Sequence, residues 1–258
     1  MATVTSKDGT RIAYDRVGQG PPLILVDGAL CYRSFGPMGA LSQQLAPHFT
    51  VTYYDRRGRG ESSDTPPYAL DREVEDLEAL IQEAGGSAYV YGISSGGALA
   101  LHAAACGLNI QKLAVYEIPF NVDENVPRPP DDTPQRVAQM APGDAVEFFM
   151  TQLVGNPPEM VAGMKASPVW PMLEAVGPTV AYDLTILGAN HWYLPKQVIN
   201  VRMPALVMAG GASPNAMCSA ARALEDHLPN ACLRILPEQD HNVAAEAVAP
   251  ALVEFFNA

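Results

Sequence analysis

The sequence predicts an α/β fold in which a mostly parallel central sheet is flanked by helices on both faces. Three observations support this prediction. Short apolar runs alternate with segments whose apolar residues recur at helical spacing. Residues 22–26 are apolar throughout, as strands buried on both faces of a sheet usually are. The chain has 258 residues, a length at which an α/β fold commonly forms one domain. Alternating strands and helices imply right-handed crossovers between parallel strands.

The predicted elements follow in a regular order as far as residue 120. The chain opens with a hairpin whose turn is Lys7-Asp8-Gly9, a sequence typical of tight turns. The run 22–26 comes next, and strands and helices then alternate. In the second half the alternation resumes after residue 201. The predicted strands are 3–6, 11–17, 22–26, 49–54, 88–91, 113–116, 205–209 and 232–236, and the predicted helices are 71–84, 95–106, 215–228 and 243–256.

Between these two parts the rhythm is interrupted. Residues 126–132 are rich in proline and aspartate and predict an extended connection. Apolar residues at helical spacing follow, which favours a helical cap inserted between two strands. We therefore expect a core formed by residues 1–120 and 202–258, with a cap at 121–201. The apolar positions of the cap are Ala145, Phe148, Phe149, Leu153, Met160, Val161 and Met164.

Composition excludes several classes of partner. The chain carries 28 acidic and 16 basic residues, a formal charge of −12, so it repels nucleic acid and anionic membranes. No apolar run approaches the ~18 residues of a membrane-spanning helix, and no signal peptide is visible. The four cysteines show no C-x-x-C pair and no metal-ligand spacing. We expect a cytoplasmic protein without metal or cofactor; the sequence does not address its oligomeric state.

A candidate nucleophile lies where the predicted strand 88–91 meets the next helix. Gly92-Ile93-Ser94-Ser95-Gly96 matches G-x-S-x-G, in which small residues let the chain turn sharply and expose the serine hydroxyl. The pattern alone is weak, but apolar strand and helix sequences flank it here. A phosphate-binding turn is the alternative, and the spacing fits neither G-x-G-x-x-G nor a P-loop. Ser95 is the alternative serine, although its expected role is to donate its backbone N–H to an oxyanion.

At these motifs the chain resembles the α/β-hydrolase superfamily over essentially its whole length. Residues 54–62, Tyr-Asp-Arg-Arg-Gly-Arg-Gly-Glu-Ser, are similar to the superfamily's D-x-R-G-x-G-x-S turn. Gln239-Asp240-His241 follows the last predicted strand and is similar to its catalytic-histidine loop. The order of serine before histidine also agrees. The resemblance implies an α/β-hydrolase fold with a helical cap after the strand that ends at Glu117.

Two departures from the superfamily pattern bear on the acid and on the oxyanion hole. The usual His-Gly after the third strand is Asp27-Gly28 here, and no Asp or Glu occurs between Met203 and Leu224, where the acid commonly lies. Glu117 is the best replacement, because it closes an apolar strand at the sheet edge where Ser94 is expected. A carboxylate there is costly to bury without a partner such as an imidazole N–H. Haloalkane dehalogenases place their acid at the matching point. Alternatively, Glu117 is simply exposed at the strand end. Asp240, Asp123 and Glu124 are the other candidates for the acid.

The unusual positions most resemble the zearalenone lactone hydrolases. The shared features are the Asp-Gly pair, the Ser-Ser-Gly turn, Glu117-Ile118-Pro119 and the missing acid after the cap. That resemblance implies a carboxylic ester or lactone hydrolase acting on a small apolar substrate. It also implies a triad of Ser94, Glu117 and His241, and an oxyanion hole formed by N–H groups of Gly28 or Ala29 and of Ser95. The residues predicted to contact substrate are Asp27, Leu30, Trp170, His191 and Trp192.

Two questions stay open at the level of sequence. Asp27 either accepts backbone N–H bonds in place of the usual histidine or faces the site and binds a substrate hydroxyl. The function also has alternatives, because a fold does not fix a chemistry. A carbon–carbon lyase, a cofactor-free cyclase and a non-catalytic ligand-binding protein would all fit the same scaffold.

Overall fold

The computed structural model describes residues 2–123, 129–188 and 200–258. Its strands form one sheet, and the first two of them make the predicted antiparallel hairpin. The continuous apolar run became a central strand, buried along nearly its whole length. The strands are β1 Ala2–Thr5, β2 Arg11–Val17, β3 Pro22–Val26, β4 Thr50–Tyr54, β5 Ala88–Ile93, β6 Ile110–Tyr116, β7 Ala205–Gly210 and β8 Ala231–Leu236.

The strand order across the sheet is β1-β2-β4-β3-β5-β6-β7-β8. The pairings from β4 to β8 are all parallel, and only β2 pairs antiparallel to its neighbours β1 and β4. This confirms the predicted α/β fold with a mostly parallel sheet. The register brings three strand ends together, because Val26 pairs with Gly92 and Ile93 pairs with Tyr116. Residues that follow β3, β5 and β6 therefore meet at one edge.

Helices cover both faces of this sheet. One apolar cluster, which includes Leu77, Leu99 and Leu224, lies on one face, and a second, which includes Leu45, Leu252 and Phe256, lies on the other. In the described residues, no helix is long and apolar enough to cross a membrane. The helices outside the insertion are α1 Met38–Leu45, α2 Leu70–Glu83, α3 Ser94–Ala105, α9 Asn215–His227 and α10 Ala245–Asn257, and those between β6 and β7 are α4 Thr133–Val137, α5 Pro142–Phe148, α6 Pro158–Lys165, α7 Trp170–Glu174 and α8 Val180–Leu187.

The structure differs from the predicted elements in two places. The sequence analysis did not predict α1, which has only eight residues, contains a glycine and begins without a side-chain cap. Strand β6 begins at Ile110 instead of residue 113, because the polar pair Gln111-Lys112 interrupts its apolar pattern. Other boundaries agree to within one or two residues, which is the usual scatter of helix and strand ends.

The helices between β6 and β7 have an apolar cluster of their own. It contains Val146, Val161 and Leu173, together with Leu30, which comes from the loop after β3. A π-helical turn, Phe149–Leu153, and a 3₁₀ turn, Gly177–Thr179, connect some of these helices. We call the described part of this segment, residues 129–188, the helical insertion. The apolar contact through Leu30 joins the insertion to the sheet edge where β3 ends.

Candidate active site

Ser94 lies in a strained turn between β5 and α3. Its φ is +54°, a conformation that non-glycine residues seldom adopt and that recurs at functional sites. The flanking glycines are sterically required. A β-carbon at position 92 would lie 2.6 Å from Gly96 O, and one at position 96 would overlap the carbonyl oxygens of Val26 and Asp27. The turn therefore has the geometry that the G-x-S-x-G pattern predicts.

Gly28, after β3, lies directly against the serine. A β-carbon built on Gly28 would be 3.2 Å from Ser94 Cβ and 3.8 Å from Ser94 Oγ. The space beside the hydroxyl is thus kept open by the absence of a side chain at position 28.

Gly28→Ala is expected to lower kcat of a reaction that uses Ser94 Oγ by roughly tenfold or more, because its methyl group displaces Ser94 by a fraction of an ångström. The measurement is steady-state kinetics with a p-nitrophenyl ester. Gly163→Ala, on α6, is the matched control, since its added methyl group meets open space among the described residues. An unchanged kcat in Gly28→Ala would show that this glycine does not border the reacting atoms.

Glu117 and His241 form an acid–imidazole pair in which the carboxylate is the buried member. Glu117 Oε2 lies 2.8 Å from His241 Nδ1, and the glutamate side chain is fully buried while that of the histidine is 42% exposed. Glu117 follows Tyr116, which pairs with Ile93, so it lies one residue past the strand end just as Ser94 does. Its φ of +45° is also strained. The expectation that the strand end places a partnered carboxylate beside the serine turn agrees with this geometry.

The last residue of β7 contributes a donor to the carboxylate. Gly210 N–H donates to Glu117 Oε1 at 2.8 Å, so both carboxylate oxygens are engaged. Burial works to raise the pKa of Glu117, but hydrogen bonding to the carboxylate, first of all from His241, outweighs burial and holds that pKa below its usual value. Glu117 is therefore ionised at neutral pH and orients the imidazole through Nδ1.

The second ring nitrogen of His241 is left for another partner. In the described part of the chain, Nε2 has no hydrogen-bond partner, and no hydrogen bond joins it to Ser94 Oγ. Bonds of this kind commonly tighten only when substrate is bound. The tautomer that donates from Nδ1 to Glu117 leaves Nε2 as a proton acceptor.

Asp27 is buried behind the loop that contains Gly28. Its Oδ1 accepts the Gly28 N–H at 2.9 Å, which agrees with the structural role considered for it and commits that N–H to the carboxylate. The N–H groups of Ala29 and Ser95 are then the candidate oxyanion donors. Burial raises the pKa of Asp27 to about 7, with the Gly28 bond and the charges of Arg59 and Arg56 acting in the opposite direction.

The raised pKa of Asp27 predicts a pH dependence of stability. Folded Asp27 holds a proton that the unfolded chain releases near pH 3.8, so the contribution of Asp27 to the free energy of unfolding falls as pH rises from about 4 to about 7. Asp27→Asn removes this dependence, since it is neutral at every pH. We expect its free energy of unfolding, relative to wild type, to rise by on the order of 2 kcal/mol between pH 5 and pH 8 in urea denaturation. Parallel curves for the two proteins would contradict this prediction.

A buried ionic network, which the sequence analysis missed, surrounds Ser95. Asp183, on α8, accepts hydrogen bonds from Ser95 Oγ at 2.7 Å and from Arg56 Nη1 at 2.8 Å. Arg59 Nη2 reaches both oxygens of Asp183, at 2.8 and 2.7 Å, and Arg56 also pairs with Glu73. One signal in the sequence could have indicated this network: Asp183 is the only charged residue in the apolar stretch Val180–Leu187.

Of the five residues predicted to contact substrate, Asp27 is buried and bonded to Gly28 N–H, and the other four fall into two groups. Leu30 and Trp170 are buried in the apolar cluster of the helical insertion, where Lys165 Nζ lies 5.4 Å from the Trp170 ring centroid. His191 and Trp192 lie outside the described residues. No group of three or more metal-ligating side chains occurs in residues 2–123, 129–188 and 200–258.

A mostly parallel eight-stranded sheet with a serine turn after one central strand and a histidine after the last strand defines the α/β-hydrolase class. A model of the α/β hydrolase family matches residues 18–253, and the chain belongs to that family. The chain is 51% identical to an α/β hydrolase from Sphaerobacter thermophilus, with a TM-score of 0.89 over 99% of this chain and 100% of that one.

Two other relatives have described activities. An enol-lactonase from Burkholderia xenovorans has a TM-score of 0.74 over the whole of both chains at 18% identity, which shows a shared fold. A pimeloyl-[acyl-carrier protein] methyl ester esterase from Xanthomonas campestris is 41% identical over 103 residues. That match covers 39% of this chain and 38% of the esterase, so this chain spans less than two fifths of the length of that relative.

Proposed function

We propose that this protein hydrolyses a carboxylic ester or lactone through an acyl-enzyme on Ser94. His241 is the general base and Glu117 is the acid that orients it. The observation that carries the proposal is the 2.8 Å hydrogen bond between Glu117 and His241. It forms at the sheet edge where the ends of β5 and β6 lie side by side. The family relatives described as esterase and enol-lactonase support ester hydrolysis as the reaction class.

The first half of the reaction transfers the acyl group to the serine. Ser94 Oγ attacks the carbonyl carbon as its proton passes to His241 Nε2, and Glu117 stabilises the resulting imidazolium. The tetrahedral intermediate then breaks its bond to the alkoxy oxygen, which takes the proton from Nε2 and leaves as an alcohol. In a lactone that alcohol stays attached to the acyl group, so ring closure competes with the next step.

The second half of the reaction regenerates the enzyme. His241 Nε2 takes a proton from water as the water oxygen attacks the acyl carbon. Collapse of this second intermediate breaks the bond to Ser94 Oγ, which recovers its proton, and releases a carboxylic acid. The N–H groups of Ala29 and Ser95 stabilise the oxyanion in both halves, and loss of one such donor typically costs about 10²–10³ in rate.

The helical insertion supports an apolar substrate of small to medium size. It contacts the residue after the nucleophile through Asp183, and its apolar cluster includes Leu30 from the loop of the proposed oxyanion hole. We propose that it acts as a cap over the site, with Leu30 and Trp170 near the acyl or alcohol portion. By the sequence resemblance, a resorcylic macrolactone such as zearalenone is the specific substrate to test.

The test of the proposed function is a substrate panel. Wild-type protein is assayed with p-nitrophenyl acetate, p-nitrophenyl butyrate and zearalenone, and the products are identified by mass spectrometry. Hydrolysis of at least one substrate is expected, and the preferred one defines the class. Hydrolysis of the p-nitrophenyl esters alone would reject the macrolactone but keep the esterase. No hydrolysis of any of them, together with no covalent labelling of Ser94 by a fluorophosphonate, would overturn the proposal and favour a lyase or a binding protein.

A further inference from the structure

We propose that Asp183 is a positioning residue that aligns both halves of the oxyanion hole from the helical insertion. This inference rests on the proposed function, because it assigns the hole to the N–H groups of Ala29 and Ser95. Asp183 is fully buried on α8, distant in sequence from both donors. Two separate sets of contacts connect it to them.

The first set of contacts acts on Ser95. Its hydroxyl donates to Asp183 Oδ1 at 2.7 Å, and Ser95 itself is 1% exposed. Ser95 follows the strained Ser94 at the start of α3, where the N–H groups of the first turn have no partner within the helix. Because its side chain is held, the peptide unit carrying the Ser95 N–H has a fixed orientation.

The second set of contacts acts on Ala29 through Arg59. The guanidinium of Arg59 donates from Nη2 to both oxygens of Asp183 and from Nη1 to Gly28 O at 2.6 Å. Gly28 O and the Ala29 N–H belong to the same planar peptide unit. In a trans peptide these two groups point in opposite directions, so holding Gly28 O against Arg59 directs the Ala29 N–H away from Arg59.

Anchoring of the insertion alone does not account for this arrangement. Tyr182, the neighbour of Asp183 on α8, already stacks on Tyr68 of the core with ring centroids 3.8 Å apart. Its hydroxyl also donates to Asp64 at 2.6 Å. Burying a carboxylate with two arginines brings a large desolvation cost, which apolar packing would avoid. What the charged network adds is direction, since the bonds to Ser95 Oγ and to Gly28 O end on groups next to the two proposed oxyanion donors.

The test compares catalysis with binding of a trifluoromethyl ketone, which forms a tetrahedral adduct with a serine nucleophile and carries an oxyanion. In Asp183→Asn we expect kcat for a p-nitrophenyl ester to fall about 10–100-fold and the inhibition constant of the ketone to rise by a similar factor. KM should stay within about twofold of the wild-type value, because the oxyanion-hole N–H groups contribute less to binding of the substrate than to binding of the transition state. Ser95→Ala keeps the pairs between Asp183 and both arginines, and we expect a smaller loss, about 3–10-fold in kcat, from the direct contact alone.

The matched control is Asp76→Asn. Asp76 lies on α2, pairs with Arg57 at 2.7 and 2.8 Å and is as buried as Asp183. It therefore contacts the same turn, residues 54–62, as Asp183 does, but it makes no hydrogen bond to the residues of the proposed oxyanion hole. It should lower the thermal midpoint without changing kcat or the inhibition constant. If Asp183→Asn behaves like Asp76→Asn, the inference is overturned. If Asp183→Asn does not fold, an unchanged kcat and inhibition constant in Ser95→Ala overturn it. A wild type that never forms the ketone adduct would instead overturn the proposed function itself.

Discussion

Ser94→Ala is expected to lower kcat/KM for ester hydrolysis by about 10⁴-fold or more, because the proposed mechanism forms the acyl-enzyme on the Ser94 hydroxyl. The fold should be retained, since the change removes one oxygen and keeps the glycine contacts of the turn around Ser94. The measurement is kinetics on the preferred substrate of the panel, with thermal melting recorded on the same samples.

The control for this substitution is a serine remote from the site. Ser42, buried on α1, uses its hydroxyl to donate to Gly39 O of the same segment. Ser42→Ala should keep wild-type kcat. If Ser94→Ala retained activity, Ser94 would not be the nucleophile, and a reaction without an acyl-enzyme would have to replace the proposed one.

Glu117→Gln has the second largest expected effect, a fall of about 10²–10⁴ in kcat. The amide cannot stabilise the imidazolium, and it can present an N–H₂ to Nδ1 and so favour the wrong tautomer.

The stability of Glu117→Gln should also differ from that of the wild type. Because the pKa of Glu117 is depressed in the folded protein, its stabilising contribution is present at neutral pH and is lost as pH falls through the folded value. The stability difference between wild type and Glu117→Gln should therefore shrink at acid pH.

Asp240→Asn is the matched control for Glu117→Gln. Asp240 adjoins His241 in the sequence, but its carboxylate accepts the Asn242 N–H at 2.8 Å, and an asparagine oxygen can do the same. Wild-type kcat is expected in this variant. A steep loss in Asp240→Asn together with normal activity in Glu117→Gln would assign the acid to Asp240.

The predictable parts of this protein are those that local physical chemistry dictates. Gly92 and Gly96 are required by close backbone approach, so the turn around Ser94 can be read from a short pattern between a strand and a helix. The pairing of Glu117 was predictable for a different reason. A buried carboxylate that ends an apolar strand needs a hydrogen-bond partner, and the fold supplies His241.

The parts that were not predictable depend on contacts distant in sequence. Asp183 and Ser95 are 88 positions apart, and no periodicity or motif connects them. The choice between Gly28 and Ala29 as the proposed oxyanion donor likewise depends on one hydrogen bond, from Gly28 N–H to the Asp27 carboxylate, which only the three-dimensional structure reveals. Arg56 and Arg59 belong to a recognisable turn, but the pattern of that turn does not say which carboxylates they meet.

The most direct test of the central claim is to treat the wild-type protein with a fluorophosphonate and map the adduct by peptide fragmentation that separates Ser94 from Ser95. The proposed mechanism predicts one adduct per chain on Ser94 Oγ, formed much more slowly in Glu117→Gln. An adduct on Ser95 or on another residue, or an active enzyme that the reagent leaves unmodified, would contradict it.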